Sequence, residues 1–97
     1  MRWAVDVACA GDARRGWTCF VVVRDGDERA SEHEVRVEPG DPARLGSGAD
    51  DPTDLVERSF AFLLDREPPT SILRTFDLAV IERFFPEYEA TIRRRSG

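Results

Sequence analysis

A single histidine is the first limit that the sequence sets on the chemistry of this protein. His33 has no second imidazole with which to share a metal ion. Cys9 and Cys19 lack the close spacing of cysteine pairs in zinc sites. We therefore predict no metal and no cofactor, and we interpret both cysteines as small apolar core side chains.

A nucleophile with a base beside it is also missing from the sequence pattern. Neither cysteine lies at a predicted helix start or in a basic setting, which is where reactive thiols occur. No serine is marked by a neighbouring base, and the abundant carboxylates include no pair that stands out. We predict no catalytic residue, and we do not expect the protein to be an enzyme.

Basic residues are in the minority, with 14 Lys and Arg against 19 Asp and Glu and a formal net charge of −5. Nucleic acids bind proteins largely through cations that neutralise phosphates, so we predict no nucleic-acid partner. The run Arg93-Arg94-Arg95 is interpreted as a solvated helix end, where cations suit the helix dipole.

Long apolar runs are absent as well. No stretch approaches the roughly 18 apolar residues of a membrane span, and the N-terminal residues carry no apolar segment typical of a signal peptide. We therefore expect a cytoplasmic protein with no membrane partner. In that compartment Cys9 and Cys19 are expected to be free thiols.

The first half of the chain carries the pattern of β-strands. Apolar and polar residues alternate over 3–9 and 32–38, and residues 17–23 (WTCFVVV) are rich in branched and aromatic side chains. The dipeptide Asp25-Gly26 indicates a tight hairpin. Since the connections are short, we predict a three-stranded antiparallel meander.

Centring each hairpin on its turn predicts the pairing of the strands. Cys9 then lies opposite Cys19, and on the third strand Val35 lies opposite Cys19. One face of the sheet becomes the core face, and its members are Trp3, Val5, Val7, Cys9, Trp17, Cys19, Val21, Val23, Val35 and Val37.

The second half of the chain carries helices. Residues 39–50 form a linker with one predicted helical turn at 42–45. A long helix is predicted from Asp51, as the capping residue, and Pro52 to about Arg66. Its buried stripe consists of Leu55, Val56, Phe60, Phe62, Leu63 and Leu64. The predicted fold is α+β, a single domain over 1–97 in the order β-β-β-α-α, with two or three helices on one face of the sheet.

The last segment reads as a helix interrupted by Pro86. Proline disfavours helical geometry at the residue before it, so we predict a piece from about Leu78 to Phe84, capped by Asp77, and a second piece that starts at Pro86. The apolar stripe continues across the break, and both pieces are expected to pack on the core. The aromatic residues Phe84, Phe85 and Tyr88 fit either a core or a partner-binding surface.

Residues 55–89 (LVERSFAFLLDREPPTSILRTFDLAVIERFFPEYE) carry three short motifs. The helix end SFxFLLxREP, the connector SILxxFDL and the segment FPEYE together resemble the C-terminal half of a family of small uncharacterised bacterial proteins. The resemblance covers about a third of the chain. It implies a cytoplasmic bacterial protein, and it brings no catalytic residues.

Two functions follow as hypotheses. Phe20 and Val22 alternate with core residues and must point to the opposite face of the sheet, so we predict an interaction or regulatory module that forms a homodimer, or binds another protein, through these two residues. The alternative is a small-ligand-binding protein or small enzyme that uses a cleft between sheet and helices, lined by Trp3, Trp17 and His33.

Overall fold

The computed structural model describes residues 3–46 and 52–95, and the predicted capping residue Asp51 lies outside them. The strands are β1 (Trp3–Asp12), β2 (Gly16–Asp25), β3 (Glu28–Val37) and β4 (Thr75–Asp77), and the helices are α1 (Asp41–Arg44), α2 (Pro52–Leu64), α3 (Ile81–Phe84) and α4 (Tyr88–Arg95). Single 3₁₀ turns occupy Pro69–Ser71 and Leu78–Val80. The protein is therefore α+β, as predicted.

Strands β1, β2 and β3 form the predicted antiparallel meander. Cys9 lies opposite Cys19, and Val35 lies on the other side of Cys19, so both predicted registers are confirmed. A register shift between Val23 and Arg24 marks a bulge near the second turn. The alternating pattern decided the register because a slip by one residue would move every apolar side chain to the other face.

A fourth strand corrects the predicted three-stranded sheet. Residues 75–77 of β4 pair parallel to β3, with Phe76 beside Val35, which gives a mixed sheet in the order β1-β2-β3-β4. The backbone N–H of Glu34 donates to the carbonyl of Arg74 at 2.6 Å just before this strand. The sequence does not indicate this strand, because a three-residue strand with one buried side chain carries no alternation to read.

The helices cover the core face of the sheet. The inward residues of β2, and those of β3 from His33 to Val37, are buried. Those of β1 are half-buried, since β1 is the outer strand and α2 packs across it only in part. Helix α2 starts at Pro52 as predicted and ends at Leu64. Its predicted stripe is buried except for Leu64, which is half-buried, and Ser59 joins it. No helix among these residues is long and apolar enough to cross a bilayer.

Pro86 separates α3 from α4 at the predicted place. Phe85 adopts an extended backbone (φ −134°, ψ 88°), as residues before proline do, and α4 begins at Tyr88 after one turn. Tyr88 is fully buried, Phe85 is half-buried and Phe84 is 66% exposed, so the aromatic group divides between core and surface. Asp77 precedes the first piece, but its side chain forms no capping hydrogen bond, so that predicted cap is wrong.

The two cysteines form a disulfide, which overturns the prediction of free thiols. Cys9 and Cys19 are directly opposite each other, and their Cα atoms are 4.0 Å apart. Closely spaced antiparallel pairs bring their side chains together. The predicted proximity is therefore confirmed, whereas the predicted oxidation state rested on compartment alone.

Candidate functional site

Three surfaces of the molecule are candidates for function. The outer face is the side of β1–β3 that points away from the helices. The apolar groove lies where α2, the 3₁₀ turns and α3 meet, and the polar pocket lies at the β3 edge beside residues 69–74. They are taken in that order.

The outer face carries the two residues that we predicted for an interface. Phe20 is 52% exposed and Val22 is half-buried, and both lie on the middle strand of the meander. Phe20 lies between Ala8 on β1 and Glu34 on β3. A contiguous exposed apolar patch is typical of a surface that contacts another molecule, whereas a single exposed ring is common on any protein.

Charged pairs surround this apolar centre. Arg24 Nε lies 2.8 Å from a carboxylate oxygen of Asp6, and Arg36 Nε lies 3.0 Å from one of Glu38. These side chains are all well exposed, so each pair contributes little to stability. They leave the outer face with alternating signs of charge rather than one sign.

The apolar groove has a volume of about 350 Å³. Leu73 and Phe84, which are 53% and 66% exposed, lie on its rim, and Ile72, Phe76 and Ile81 line its floor. It holds only two polar lining residues, Glu67 and Ser71. The groove can therefore accept apolar groups, but it offers little to orient them.

The polar pocket has a similar volume, about 330 Å³, and a different lining. Ser31 and His33 enter it from β3, Thr70 from the 3₁₀ turn, and Arg29 and Arg74 bring two positive charges. Since Ser31 and His33 are two residues apart on one strand, both side chains point to the core face of the sheet. The bulge after Val23 keeps Ser31 opposite that residue.

Two hydrogen bonds determine the proton positions of His33. Its Nδ1 lies 2.7 Å from the carbonyl oxygen of Leu73, and its Nε2 lies 2.7 Å from Oγ of Ser31. A carbonyl only accepts, so Nδ1 carries the proton of the neutral ring. Nε2 is then the acceptor, and the Ser31 hydroxyl donates to it.

The surroundings of His33 keep the ring neutral. The residue is 4% exposed, and its ring centroid lies 5.1 Å from that of Phe60. Burial lowers the pKa of His33 below its usual 6.5, the hydrogen bond to Leu73 raises it, and the charge of Arg74 lowers it further. The neutral imidazole therefore predominates at pH 7.

Within the described residues, Trp3, Trp17 and His33, which we predicted to line one cleft, lie at separate places in the sheet. Trp17 pairs with Val37 near one end of the sheet, whereas His33 pairs with Val21, four residues along β2. Trp3 lies on the far strand, opposite Asp25. Of these three residues only His33 lines the polar pocket. The error was to treat all aromatic residues of the core face as neighbours.

A charged cluster around Arg44 serves the fold rather than a ligand. Its guanidinium contacts the carboxylates of Asp41, Glu82 and Glu89, at 2.9 Å for Glu89, and so joins α1 to α3 and α4. The contact with Glu82 raises the pKa of Arg44. The guanidinium of Arg44 is thus engaged by three carboxylates, and its role is to hold these elements together.

Buried polar side chains near α4 are also satisfied. Ser59 donates to the carbonyl of Leu55 at 2.7 Å, so the Tyr88 hydroxyl donates to Ser59 Oγ, 2.5 Å away. Burial raises the pKa of Tyr88 well above its usual range. Within 3–46 and 52–95, no three His, Cys, Asp or Glu side chains are placed to hold a metal ion.

The pairing of Ser31 with His33 was missed at the sequence level. The signal was present, because a serine and a histidine two residues apart on a strand share one face.

Comparisons with known protein families, curated proteins and solved structures found no match.

Proposed function

We propose that the protein is an interaction module that forms a homodimer through its outer face, with Phe20 and Val22 at the centre of the interface. The supporting observation is the exposure of Phe20, 52%, in the middle of a sheet face that no described helix covers. A lone exposed aromatic ring is common, but one flanked by Ala8 and Val22 on a regular sheet forms a continuous apolar strip.

The size of the outer face suits a small dimer. Its three main strands have ten residues each. Strands of this length extend about 33 Å and lie about 4.8 Å apart. Covering this face on two copies buries roughly 1,000 Å² in total, the lower limit for a specific interface. A second copy is therefore large enough to cover the strip, and the dimer should be of moderate affinity.

Self-association also fits the charges. In a dimer whose two-fold axis lies along the row of Ala8, Phe20 and Glu34, β2 of one copy packs antiparallel on β2 of the other. Phe20 then stacks on Phe20 of the second copy. At the next outward-facing position of β3, Glu32 faces Arg36 of the second copy. The one unfavourable contact brings Glu34 against Glu34 of the second copy.

Sedimentation velocity tests the dimer. Wild-type protein at tens of micromolar is expected to sediment as a dimer, and the Phe20→Glu, Val22→Glu double variant as a monomer, because two charges would be buried in the interface. Phe84→Glu is the matched control, since Phe84 is exposed but lies on the apolar groove. It should remain dimeric.

A second variant tests the arrangement. Glu34→Gln removes the like-charged contact and should tighten the dimer at low salt. A monomeric wild type would contradict the proposal and leave a different protein as the occupant of the strip. Dissociation by Phe84→Glu would move the interface to the groove.

The remaining parts of the proposal rest on the sequence. The resemblance over residues 55–89 supports a bacterial origin, and the acidic balance supports a protein partner over nucleic acid. A cytoplasmic location fits that resemblance. It requires the Cys9–Cys19 bond to be open in the cell, since cytosolic thiols are kept reduced.

A further inference from the structure

The geometry points to a second function, in which Ser31 is a nucleophile and His33 its general base, acting in the polar pocket on a small ester that carries a free carboxylate. This inference concerns a different surface from the proposed dimer and stands independently of it. It replaces the expectation that the chain holds no nucleophile–base pair.

The arrangement has the three parts that serine activation needs. Ser31 Oγ lies 2.7 Å from Nε2 of His33, within the range for proton transfer. The neutral ring presents a lone pair at that nitrogen. The carbonyl of Leu73, 2.7 Å from Nδ1, holds the tautomer and the ring plane, the role that a carboxylate has in a serine–histidine–aspartate triad.

A carbonyl in the third position has a chemical consequence. It orients the imidazole but brings no negative charge to stabilise the imidazolium that forms when Ser31 loses its proton. The reaction should therefore be slow compared with a full triad, and covalent capture of Ser31 is a more sensitive measure than turnover.

Access favours the serine over the histidine. The polar pocket opens onto Ser31, which is half-buried, while His33 lies behind it and is 4% exposed. A reactant that enters the pocket therefore meets the hydroxyl group first. The volume of about 330 Å³ admits a short acyl chain.

The charge of the pocket selects the class of ester. Arg29 is already paired with Glu32 at 2.8 Å. Among the described residues no carboxylate lies within ion-pair distance of Arg74, although its charge is close enough to lower the pKa of His33. A half-ester of a short dicarboxylic acid would place its free carboxylate on Arg74 and its ester carbonyl near Ser31.

The chemistry balances without an added cofactor. Ser31 Oγ attacks the ester carbonyl as His33 Nε2 takes the hydroxyl proton, and the alcohol leaves with that proton, which yields an acyl-serine. Water, activated by the same nitrogen, then hydrolyses the acyl-serine. The products are the free acid, the alcohol and the regenerated serine.

Covalent labelling with diisopropyl fluorophosphate tests the nucleophile. The serine oxygen displaces fluoride, and the phosphoryl group remains attached. Cleavage after arginine releases residues 30–36 (ASEHEVR), whose only hydroxyl side chain is Ser31, so mass spectrometry assigns the site directly in the wild type. We expect one adduct per chain on this peptide.

Variants separate an activated serine from an accessible one. Ser31→Ala should lose the adduct, and Ser71→Ala, at an exposed serine in the neighbouring turn, should keep it. His33→Gln should slow labelling by roughly 100-fold, the usual contribution of a general base. No adduct in the wild type, an adduct on another peptide, or an unchanged rate in folded His33→Gln would overturn the inference.

The ester class has its own test. Each rate is taken after subtraction of the spontaneous release without protein, because the free carboxylate of mono-p-nitrophenyl succinate expels p-nitrophenol on its own. The protein-catalysed release from this ester should be up to about fivefold faster than that from p-nitrophenyl acetate, the factor expected for one exposed ion pair. Arg74→Gln should bring the ratio of the two rates to about one. The rate with the acetate is the internal reference in each protein, because the charge of Arg74 also lowers the pKa of His33 and its removal changes both reactions together. An equal rate for the two esters in wild-type protein would overturn the assignment of the substrate class.

Discussion

At the scale of single residues, His33 connects the structure to the pH of its surroundings. Its imidazole is buried against Phe60, accepts from Ser31 and donates to Leu73, an arrangement that only the neutral ring satisfies. Protonation would place a hydrogen on Nε2, facing the Ser31 hydroxyl, and add a positive charge near Arg74. The folded state therefore disfavours the charged form.

We expect the free energy of unfolding to fall as the pH drops below 6.5. The folded-state pKa of His33 is lowered, so its stabilising contribution is present above the unfolded-state value of 6.5 and is lost as the pH falls toward the folded value. The loss cannot exceed about 1.4 kcal/mol per pH unit. Urea unfolding of wild type and His33→Gln between pH 5 and 8 measures it.

The difference between the two proteins isolates the histidine, since both contain the same carboxylates. Arg29, Glu32 and Arg74 are the charged groups around the pocket, and all three remain in both proteins. Parallel pH profiles would show that His33 titrates in the folded protein as it does in the unfolded chain.

Part of the candidate site could be predicted from the sequence and part could not. The register of β3 places Ser31 and His33 on one face of the sheet. The alternating stretch read from the sequence begins at residue 32, so it includes His33, whereas Ser31 joins it only because β3 starts earlier, at Glu28. The bond from His33 to Leu73 spans 40 positions. It depends on where the segment before β4 docks, and no local pattern predicts that docking.

At the scale of elements, the break at Pro86 has a measurable consequence. Pro86 lies in the turn between α3 and α4, where no interior helical hydrogen bond needs its missing N–H. Pro86→Ala should therefore change the free energy of unfolding by less than about 1 kcal/mol. Glu57→Pro, in the interior of α2 at an exposed position, is the control and should cost about 3 kcal/mol.

Denaturant unfolding of the wild type and the two variants shows whether Pro86 lies in a turn or inside a helix. If Pro86→Ala stabilised the protein by about 3 kcal/mol, the wild-type proline would have to interrupt a helix that otherwise continues from α3 into α4.

Elements with a repeating pattern were predictable, and elements without one were not. Strands β1–β3 alternate over many residues, and α2 carries a stripe over three turns, so each has several independent positions that agree. Strand β4 has one inward residue, Phe76, and its place beside Val35 comes from the long-range packing of the connector. Short parallel strands at a sheet edge leave no such record in the sequence.

At the scale of the whole molecule, the layering has a simple cause. A three-strand meander has two faces, and the second half of the chain is long enough to cover one of them with helices. The Arg44 cluster then ties α1 to α3 and α4, and thus links the linker to the C-terminal segment. The ion pairs of this cluster form only because the linker folds back onto the C-terminal segment. They could therefore not be predicted from the spacing of charged residues in the sequence.

The Cys9–Cys19 bond also acts on the chain when it is not folded. It closes a loop of about ten residues, so the unfolded ensemble of the oxidised protein retains a tethered first hairpin and has less entropy to gain. For a loop of this length the bond should be worth roughly 2–3 kcal/mol. Reductant should therefore lower the melting temperature of purified protein by on the order of 10–20 °C.

A Cys9→Ala, Cys19→Ala variant supplies the baseline, because reductant has no bond to open in it. Thiol titration of oxidised wild type under denaturing conditions should find no free thiol. Two free thiols, or equal melting temperatures with and without reductant, would contradict the bond. If the bond is present, the redox potential of the cell decides whether the first hairpin of the unfolded chain is tethered. The lifetime of the protein would then depend on its compartment, although its folded shape does not.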